Sequence, residues 1–388
     1  MASLERKDLT VHIADQATEG AADAAPDFTE IRGSSGRVES SPSYVEGNEV
    51  ITDGQAPQQV QDRQEISFTR EFDVTKETIR LFDEVVHGVQ ADNTISADST
   101  IAATGTGFTS TASFGALSVG DWYVASGFAD ATLNILYKIS AKADSSTITT
   151  ETAPPTTESA GASVTFTTMK TASGLTKTLR TIQNRTFDDA KAADTNYESF
   201  LDCFAAVGSM TIEKSGIVTG SMEFKAPNPV SGSAALSSQT DSAKDTSDIV
   251  SAINNVGAFY EDGVDSNCVI QTMSIEFNNN YEGDGGAAGC DDEKFGRGNI
   301  SITGSITTRT LKATSSTWKD KNQNGTKQAI AVYFTWPDGD WAVMEVTKAL
   351  ITSHNFTDGD IVVSNEMEYA ATPDTVTGAS FQIFRSFA

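Results

Sequence analysis

The chain is poor in cysteine, histidine and proline: its 388 residues include 3, 3 and 9 of them. Cys203, Cys268 and Cys290 lack close pairing and leave at least one thiol over, which fits a reducing compartment better than a disulfide framework. A bridge between Cys268 and Cys290 is compatible with the spacing and disfavoured by that compartment. His12, His87 and His354 share no motif. No G-x-S-x-G, H-E-x-x-H, Walker loop or C-x-x-C is present, so hydrolytic, zinc and redox chemistries have no signature. Long apolar runs are missing as well, none nearing the roughly 18 residues that cross a bilayer. The opening MASLERKDLTVHIADQ is charged at Glu5, Arg6, Lys7 and Asp8 and does not read as a secretory signal. A soluble protein made in a cytoplasm, without membrane contact, is the expectation.

Positive charge is the other deficit. Against 53 Asp plus Glu stand 27 Lys plus Arg, a formal net charge of −26. Affinity for a nucleic-acid backbone rests on cations that displace counterions, so direct binding is disfavoured. Repulsion of phosphate and plain solubility both account for this sign. What the chain does have is Thr, Ser and Gly in quantity, with 38% hydrophobic and 21% charged residues. That composition predicts an all-β protein long enough for two cores.

A strand pair appears twice. SMTIEKSGIVTGSMEF runs from Ser209 to Phe224; TMSIEFNNN begins at Thr272, and GRGNISITGSI ends at Ile306. Met210, Ile212 and Lys214 oppose Thr211 and Glu213, and Met273, Ile275 and Phe277 oppose Ser274 and Glu276. This period of two predicts sheets with one buried and one wet face. Thr219-Gly220-Ser221 and Thr303-Gly304-Ser305 place a glycine inside each return strand, the mark of a bulge or a close backbone approach.

Along the chain, Met1 to Asp62 reads as a polar arm. Glu65 to Phe72 is a strand with Ile66, Phe68, Arg70 and Phe72 on one face. Val74 to His87 predicts a helix with Ile79, Phe82, Val85 and Val86 as its stripe, opened near Thr75 and stopped by Gly88. Ala91 to Met169 changes texture to short Thr- and Ser-rich strands, including Trp122–Ser126, and reads as an inserted small β-barrel-like domain. Lys177 to Phe187 resumes the core, Tyr197 to Ala205 reads as a short helix, and Ala226 to Ala243, with Pro227 and Pro229, as a long loop. Strands at Ala329–Trp336, Trp341–Val346 and Ile361–Ala370 are separated by Asp-Gly turns at Pro337–Asp340 and Thr357–Asp360, and Ser380–Phe387 forms the last strand.

The repeated pairs, Asn278-Asn279-Asn280, the ending DTVTGASFQIFR (Asp374 to Arg385), the stretch Ser40 to Phe72 and the segment Phe114 to Phe128 resemble the major tail tube protein of long, non-contractile tailed bacteriophages. The resemblance covers most of the chain. It implies a β-sandwich or barrel core, residues 1–90 with 170–388, interrupted by an inserted domain, 91–169. It implies homohexameric rings stacked into a tube whose lumen passes phage DNA without specific binding. Its partners would be tape measure, tail terminator and distal tail proteins; its place would be the virion, after assembly in the host cytoplasm; no enzyme activity or cofactor is expected. The N-terminal arm would run extended along the core, and the Pro227–Pro229 loop would meet the next ring.

Candidate residues follow. Glu366 and Glu368 share one strand face, and Glu213, Glu223 and Glu276 hold comparable wet-face positions; in a tube these would ring the lumen with negative charge. Glu282, Asp284, Asp291, Asp292 and Glu293, with Arg297 nearby, form an acidic loop that reads first as solvated, with holding a cation or facing a neighbour's Lys or Arg as the alternatives. Asp320 to Gly325 imitates the first half of a calcium loop, but Ala331 stands where the bidentate glutamate belongs, so a polar hairpin turn is expected and no metal. The sequons at Asn184, Asn299, Asn324 and Asn355 are chance matches in a chain without a signal peptide. Two rival readings remain: a surface adhesion protein whose inserted module binds host glycans through Trp122 and Tyr123, although alternation makes at least one of them core, and a carbohydrate-active β-sandwich using paired carboxylates.

Overall fold

The computed structural model describes residues 9–33, 39–46, 59–187, 194–213, 215–226, 228–230, 233–243, 245–266, 270–284, 294–309, 317–358 and 363–387. The N-terminal part gives β1 (Leu9–Asp15), β2 (Asp27–Glu30), β3 (Glu39–Glu46), β4 (Gln59–Asp73), α1 (Lys76–Val86) and β5 (Gln90–Asp92). Next come β6 (Ile95–Asp98), β7 (Ala102–Ala103), β8 (Gly107–Thr109), β9 (Trp122–Ser126), β10 (Leu136–Lys142), β11 (Thr147–Thr150) and β12 (Val164–Thr167). Then follow β13 (Met169–Ala172), β14 (Arg180–Phe187), β15 (Asp194–Ile212), β16 (Thr219–Lys225), β17 (Asn228–Pro229), β18 (Thr240–Asp241), β19 (Val256–Glu261), β20 (Val264–Asp265) and β21 (Ile270–Asn278). The chain closes with β22 (Tyr281–Asp284), β23 (Lys294–Arg297), β24 (Ser301–Arg309), α2 (Thr317–Asn324), β25 (Lys327–Thr335), β26 (Trp341–Asp358), β27 (Val363–Ala371) and β28 (Phe381–Arg385). The protein is mainly β, as its composition predicts.

Two long strands organise it. The second half of β15 sits in a front sheet of order β3-β4-β16-β15-β21-β24-β27-β26. Its first half belongs to a side sheet with β14, β1 and β2. At the handover Asp202 is left-handed, with φ 56. Its Oδ1 accepts from Gln16 Nε2 at 2.5 Å and from Gly20 N at 2.8 Å, so the β1–β2 connection holds the bend. Likewise β26 pairs with β27 through residues 349–358 and with β28 through 342–346. The first half, residues 342–346, lies in a back sheet, β19-β25-β26-β28-β13-β5.

The expected helix at Tyr197–Ala205 is therefore strand. Its local apolar spacing is ambiguous, and ladder bonds to β14, with Ile182 opposite Phe200, decide it. Asp320–Gly325 is not a hairpin turn but the end of α2, with Gly325 at φ 62 closing it. Part of Ala226–Ala243 is also ordered: Ala226 is buried in the main core, Pro229 sits opposite Phe200, and β18 pairs with β2. The Pro337–Asp340 turn forms as expected, with Trp336 N bonded to Asp340 O at 2.9 Å. Gly359 and Asp360 of the second turn lie outside the described residues.

Helix α1 starts with a capping box between Thr75 and Thr78 and buries Ile79, Phe82, Val85 and Val86. Phe82 meets Phe72 and Phe277 in the core between the front sheet, α1 and the back sheet. The residue that ends α1 is His87, left-handed at φ 50, not Gly88. Gly88 serves a different need: a Cβ there would meet the Ala172 carbonyl.

The glycines of the repeat mark close approach. Gly220 is opposite Phe72, Met210 opposite Gly220, Ile275 opposite Met210, Gly304 opposite Ile275 and Tyr369 opposite Gly304. An aromatic ring thus lies across each glycine at mirrored places in one row. A Cβ on Gly220 would come within 2.6 Å of Phe72 Cε2, and one on Gly304 would meet both Tyr369 and the Ser274 carbonyl. Tyr369 Oη donates to Ser274 O at 2.8 Å, and burial pushes its pKa up, so it stays a donor. The register also shifts the repeat: matching by letters sets Met210 beside Met273, whereas the glycine of each copy faces Met210 and Ile275. An offset of two residues preserves the faces.

Strands β6 to β12 form the separate seven-stranded sheet, around their own core of Phe108, Phe114, Tyr123, Tyr137 and Phe166 among others. The chain leaves at β5 and returns at β13, which pair with each other, Met169 opposite Asp92. Against the back sheet, Trp122 packs with Ala331, Trp341, Val343 and Phe384. Glu345, 2% exposed, accepts from Trp122 Nε1 at 3.0 Å and pairs with Lys138 at 2.5 Å. A second pair joins half-buried Lys170 to buried Asp121 at 2.7 Å.

Gly304→Ala should lower thermal stability by roughly 1–3 kcal/mol through overpacking, and by more than Gly220→Ala, because a backbone carbonyl cannot rotate away; equal, negligible losses in calorimetry would show that the rings do not fix the row. Glu345→Ala leaves the half-buried Lys138 and the buried Trp122 N–H without their acceptor and should cost about 1–3 kcal/mol. Proteolysis between 93 and 168 should rise with it; unchanged protection would mean the apolar contacts alone hold the mount.

Candidate functional site

The front sheet has a dry and a wet side. On the dry side Phe72, Met222, Met210, Ile275, Ile306 and Met367 are buried. On the other, successive strands place Asp73, Thr219, Thr211, Ser274, Ser305, Glu368 and Ser353 in one row. The adjacent row reads Glu71, Ser221, Ser209, Glu276, Thr303 and Ala370. Hydroxyls bond across strands, Ser209 to Ser221 at 2.8 Å and Ser274 to Ser305 at 2.8 Å. The surface is therefore a hydroxyl lattice studded with carboxylates.

All five glutamates singled out in the sequence stand on this side. Glu276, Glu366 and Glu368 are exposed within their strands, Glu223 is half-buried, and Glu213 is exposed just past the end of β15. None of the five makes an ion pair among the described residues. Lys225 on β16 and Arg309 at the end of β24 put positive charge on the same side. Glu71 and Asp73 join the same face, although the sequence reading did not name them. The alternation of Phe68, Arg70 and Phe72 was the signal that placed them there.

Other candidates fall elsewhere. Asp284 and Arg297 belong to the β22–β23 hairpin, where Tyr281 faces Arg297 and Asp284 faces Lys294. Asp291, Asp292, Glu293 and Pro227 lie outside the described residues, as do Cys268 and Cys290. Cys203 is buried, and burial raises its thiol pKa, which makes it inert. Trp122 and Tyr123 are 1% and 0% exposed, on opposite faces of β9, one in the mount and one in the core of the seven-stranded sheet. They form no ligand platform. Phe108, Phe114, Phe128, Tyr137 and Phe166 are buried too. Glu366 and Glu368 are open to water, not set in the enclosed cleft that a catalytic acid pair uses. No cluster of His, Cys, Asp or Glu that could hold a metal occurs among the described residues. Among those residues, no helix is long and apolar enough to cross a membrane.

Comparison with known families gives one finding: the model of a family described as phage tail tube protein matches residues 7–381. No curated protein matches the chain.

Exposed like charges without partners repel one another. The triple variant Glu276→Gln, Glu366→Gln, Glu368→Gln should unfold at the same temperature as the parent or slightly above it in low salt, and the difference should vanish in 1 M salt, where the screening length is about 3 Å. A clear loss of stability would give these carboxylates a structural role instead.

Proposed function

The chain belongs to the phage tail tube protein family, and from that premise we propose that it forms homohexameric rings stacked into a siphophage tail tube, with the wet side of the front sheet lining the lumen. The observation that carries this is the charge of that side: hydroxyls beside Glu276, Glu366 and Glu368, which are exposed and form no ion pair among the described residues. A duplex bears one negative charge per about 1.7 Å, and a wall that displaces no counterions gives it nothing to hold. Passage is then passive, and the mechanism is assembly and conduction without catalysis.

Edge chemistry supports ring closure. Strand β3 has β4 as its one strand partner among the described residues, which leaves a row of backbone groups open on its other edge. Such an edge invites a strand from another chain, and closure into a ring removes it. In this arrangement residues 91–169 form an inserted domain on the tube exterior. The acidic hairpin loop with Asp284, Asp291, Asp292, Glu293 and Arg297, and the segment with Pro227 and Pro229, face neighbouring subunits or rings. Tape measure, terminator and distal tail proteins would meet the tube inside and at its ends, with assembly in the host cytoplasm.

The reading is tested by electron microscopy of the purified chain across a concentration range and by genome ejection from virions carrying Glu366→Lys and Glu368→Lys. Rings or hollow tubes of uniform diameter are expected, and ejection through the variant tube should slow while tube length stays the same. Unchanged ejection would take these glutamates out of the lumen; a monomer at every concentration, in the presence of an initiating tail complex, would sink the tube.

A further inference from the structure

A cavity of about 580 Å³ lies between α1 and the β1–β2 arm, with Arg180 and Arg385 also in its wall. That volume falls in the range of small-molecule sites. Eight carboxylates and four guanidinium groups line it, and the described wall has no lysine or histidine. Each guanidinium is already matched: Arg32 to Asp245 at 3.5 Å, Arg80 to Glu77 at 3.1 Å, Arg385 to Asp83, and Arg180 to both Asp15 and Glu84. An acidic wall alone is ordinary on a chain of net charge −26. Asp83 and Glu84, consecutive residues of α1, set this one apart. Each meets an arginine through one carboxylate oxygen, while the other, Asp83 Oδ1 and Glu84 Oε2, has no donor among the described residues. Glu84 is 8% exposed, and a buried oxygen without a donor is costly. Arg180 Nε is the one buried side-chain donor of this wall without an acceptor, so unmet acceptors outnumber unmet donors. Burial pushes the pKa of both acids up, that of Glu84 to about 8; Asp83 beside Glu84 adds to its rise, and Arg80 and Arg385 oppose it. These carboxylates lack the positive charge that would keep them ionised.

We propose that this cavity binds a small organic cation, an alkylguanidinium or alkylammonium, whose N–H groups donate to Asp83 and Glu84. The excess of carboxylates selects a cation, and the two unmet oxygens select one that carries donors. A bare metal ion fits less well. No cluster of His, Cys, Asp or Glu that could hold one occurs among the described residues, and the volume far exceeds what an ion needs. The bound cation replaces the proton that Glu84 otherwise keeps near neutral pH. It also joins two walls, because Asp15 and Asp27 belong to the arm and Asp83 and Glu84 to the helix. Its occupancy fastens β1 and β2 to α1, and the site stands whether or not the chain forms a tube.

The test is calorimetric titration of the full chain with methylguanidinium chloride at pH 7 and pH 9, with ionic strength held constant by sodium chloride. One saturable site is expected, about tenfold tighter at pH 9, because Glu84, with its pKa at about 8, is mostly protonated at pH 7 and mostly ionised at pH 9. Tetramethylammonium, which has the charge and no N–H, should not bind. Glu84→Gln keeps an acceptor for Arg180; it should abolish the pH dependence and weaken binding at pH 9 about tenfold. The proposal is overturned by no saturable binding at either pH, by equal affinity at both, or by tetramethylammonium binding as tightly as methylguanidinium. All three are read on the parent chain and do not depend on the variant folding. A Glu84→Gln chain that folds and keeps the full pH dependence overturns it as well.

Discussion

Strand register across the front sheet is the constraint on which the rest of the molecule depends. A slip of one residue would turn every glutamate of the wet side into the core and every methionine out of it. Two ring-on-glycine contacts resist that slip, Phe72 across Gly220 and Tyr369 across Gly304, and the Tyr369 hydroxyl adds a bond to the Ser274 carbonyl. They sit symmetrically about the β15–β21 pair, where the two copies of the repeat meet. The duplication thus does more than lengthen the sheet. It places the same register lock on either side of its centre.

With register held, chemistry can be divided by face. The dry side is Met, Ile and Phe against α1 and the back sheet, and the wet side is free to carry repelling charge, because its cost is spread over exposed positions in high dielectric. The back sheet has no such freedom. Ala342, Met344 and Val346 point to the main core, while Trp341, Val343 and Glu345 point to the seven-stranded sheet. Burial on both sides is why β25 and the first part of β26 read as nearly continuous apolar runs.

Much of this was legible in the residues. Alternation found the wet-face glutamates and Phe68 to Phe72, the stripe of Ile79, Phe82, Val85 and Val86 found α1, and Pro337 to Asp340 found its hairpin. What escaped was decided by distant partners. Tyr197–Ala205 looks helical until Arg180–Phe187 pairs with it, and Asp320–Gly325 looks like a turn until α2 docks on β26, where Asn322 bonds to Ile351 O. Alternation puts at least one of Trp122 and Tyr123 in a core, but nothing local says that both faces of β9 are covered. Glu345 carries no sign that it will anchor Trp122 and Lys138 from more than two hundred residues away.

The pairing of β5 with β13 has a further consequence. The chain departs at Asp92 and comes back at Met169 on adjacent strands, so the sheet sees only a hairpin, whatever is threaded between its two ends. Any folded unit whose termini lie about 5 Å apart satisfies the same junction. The unit between residues 93 and 168 is therefore an exchangeable cassette. Selection can rewrite it, enlarge it or delete it while the β5–β13 pair and the back sheet keep their register.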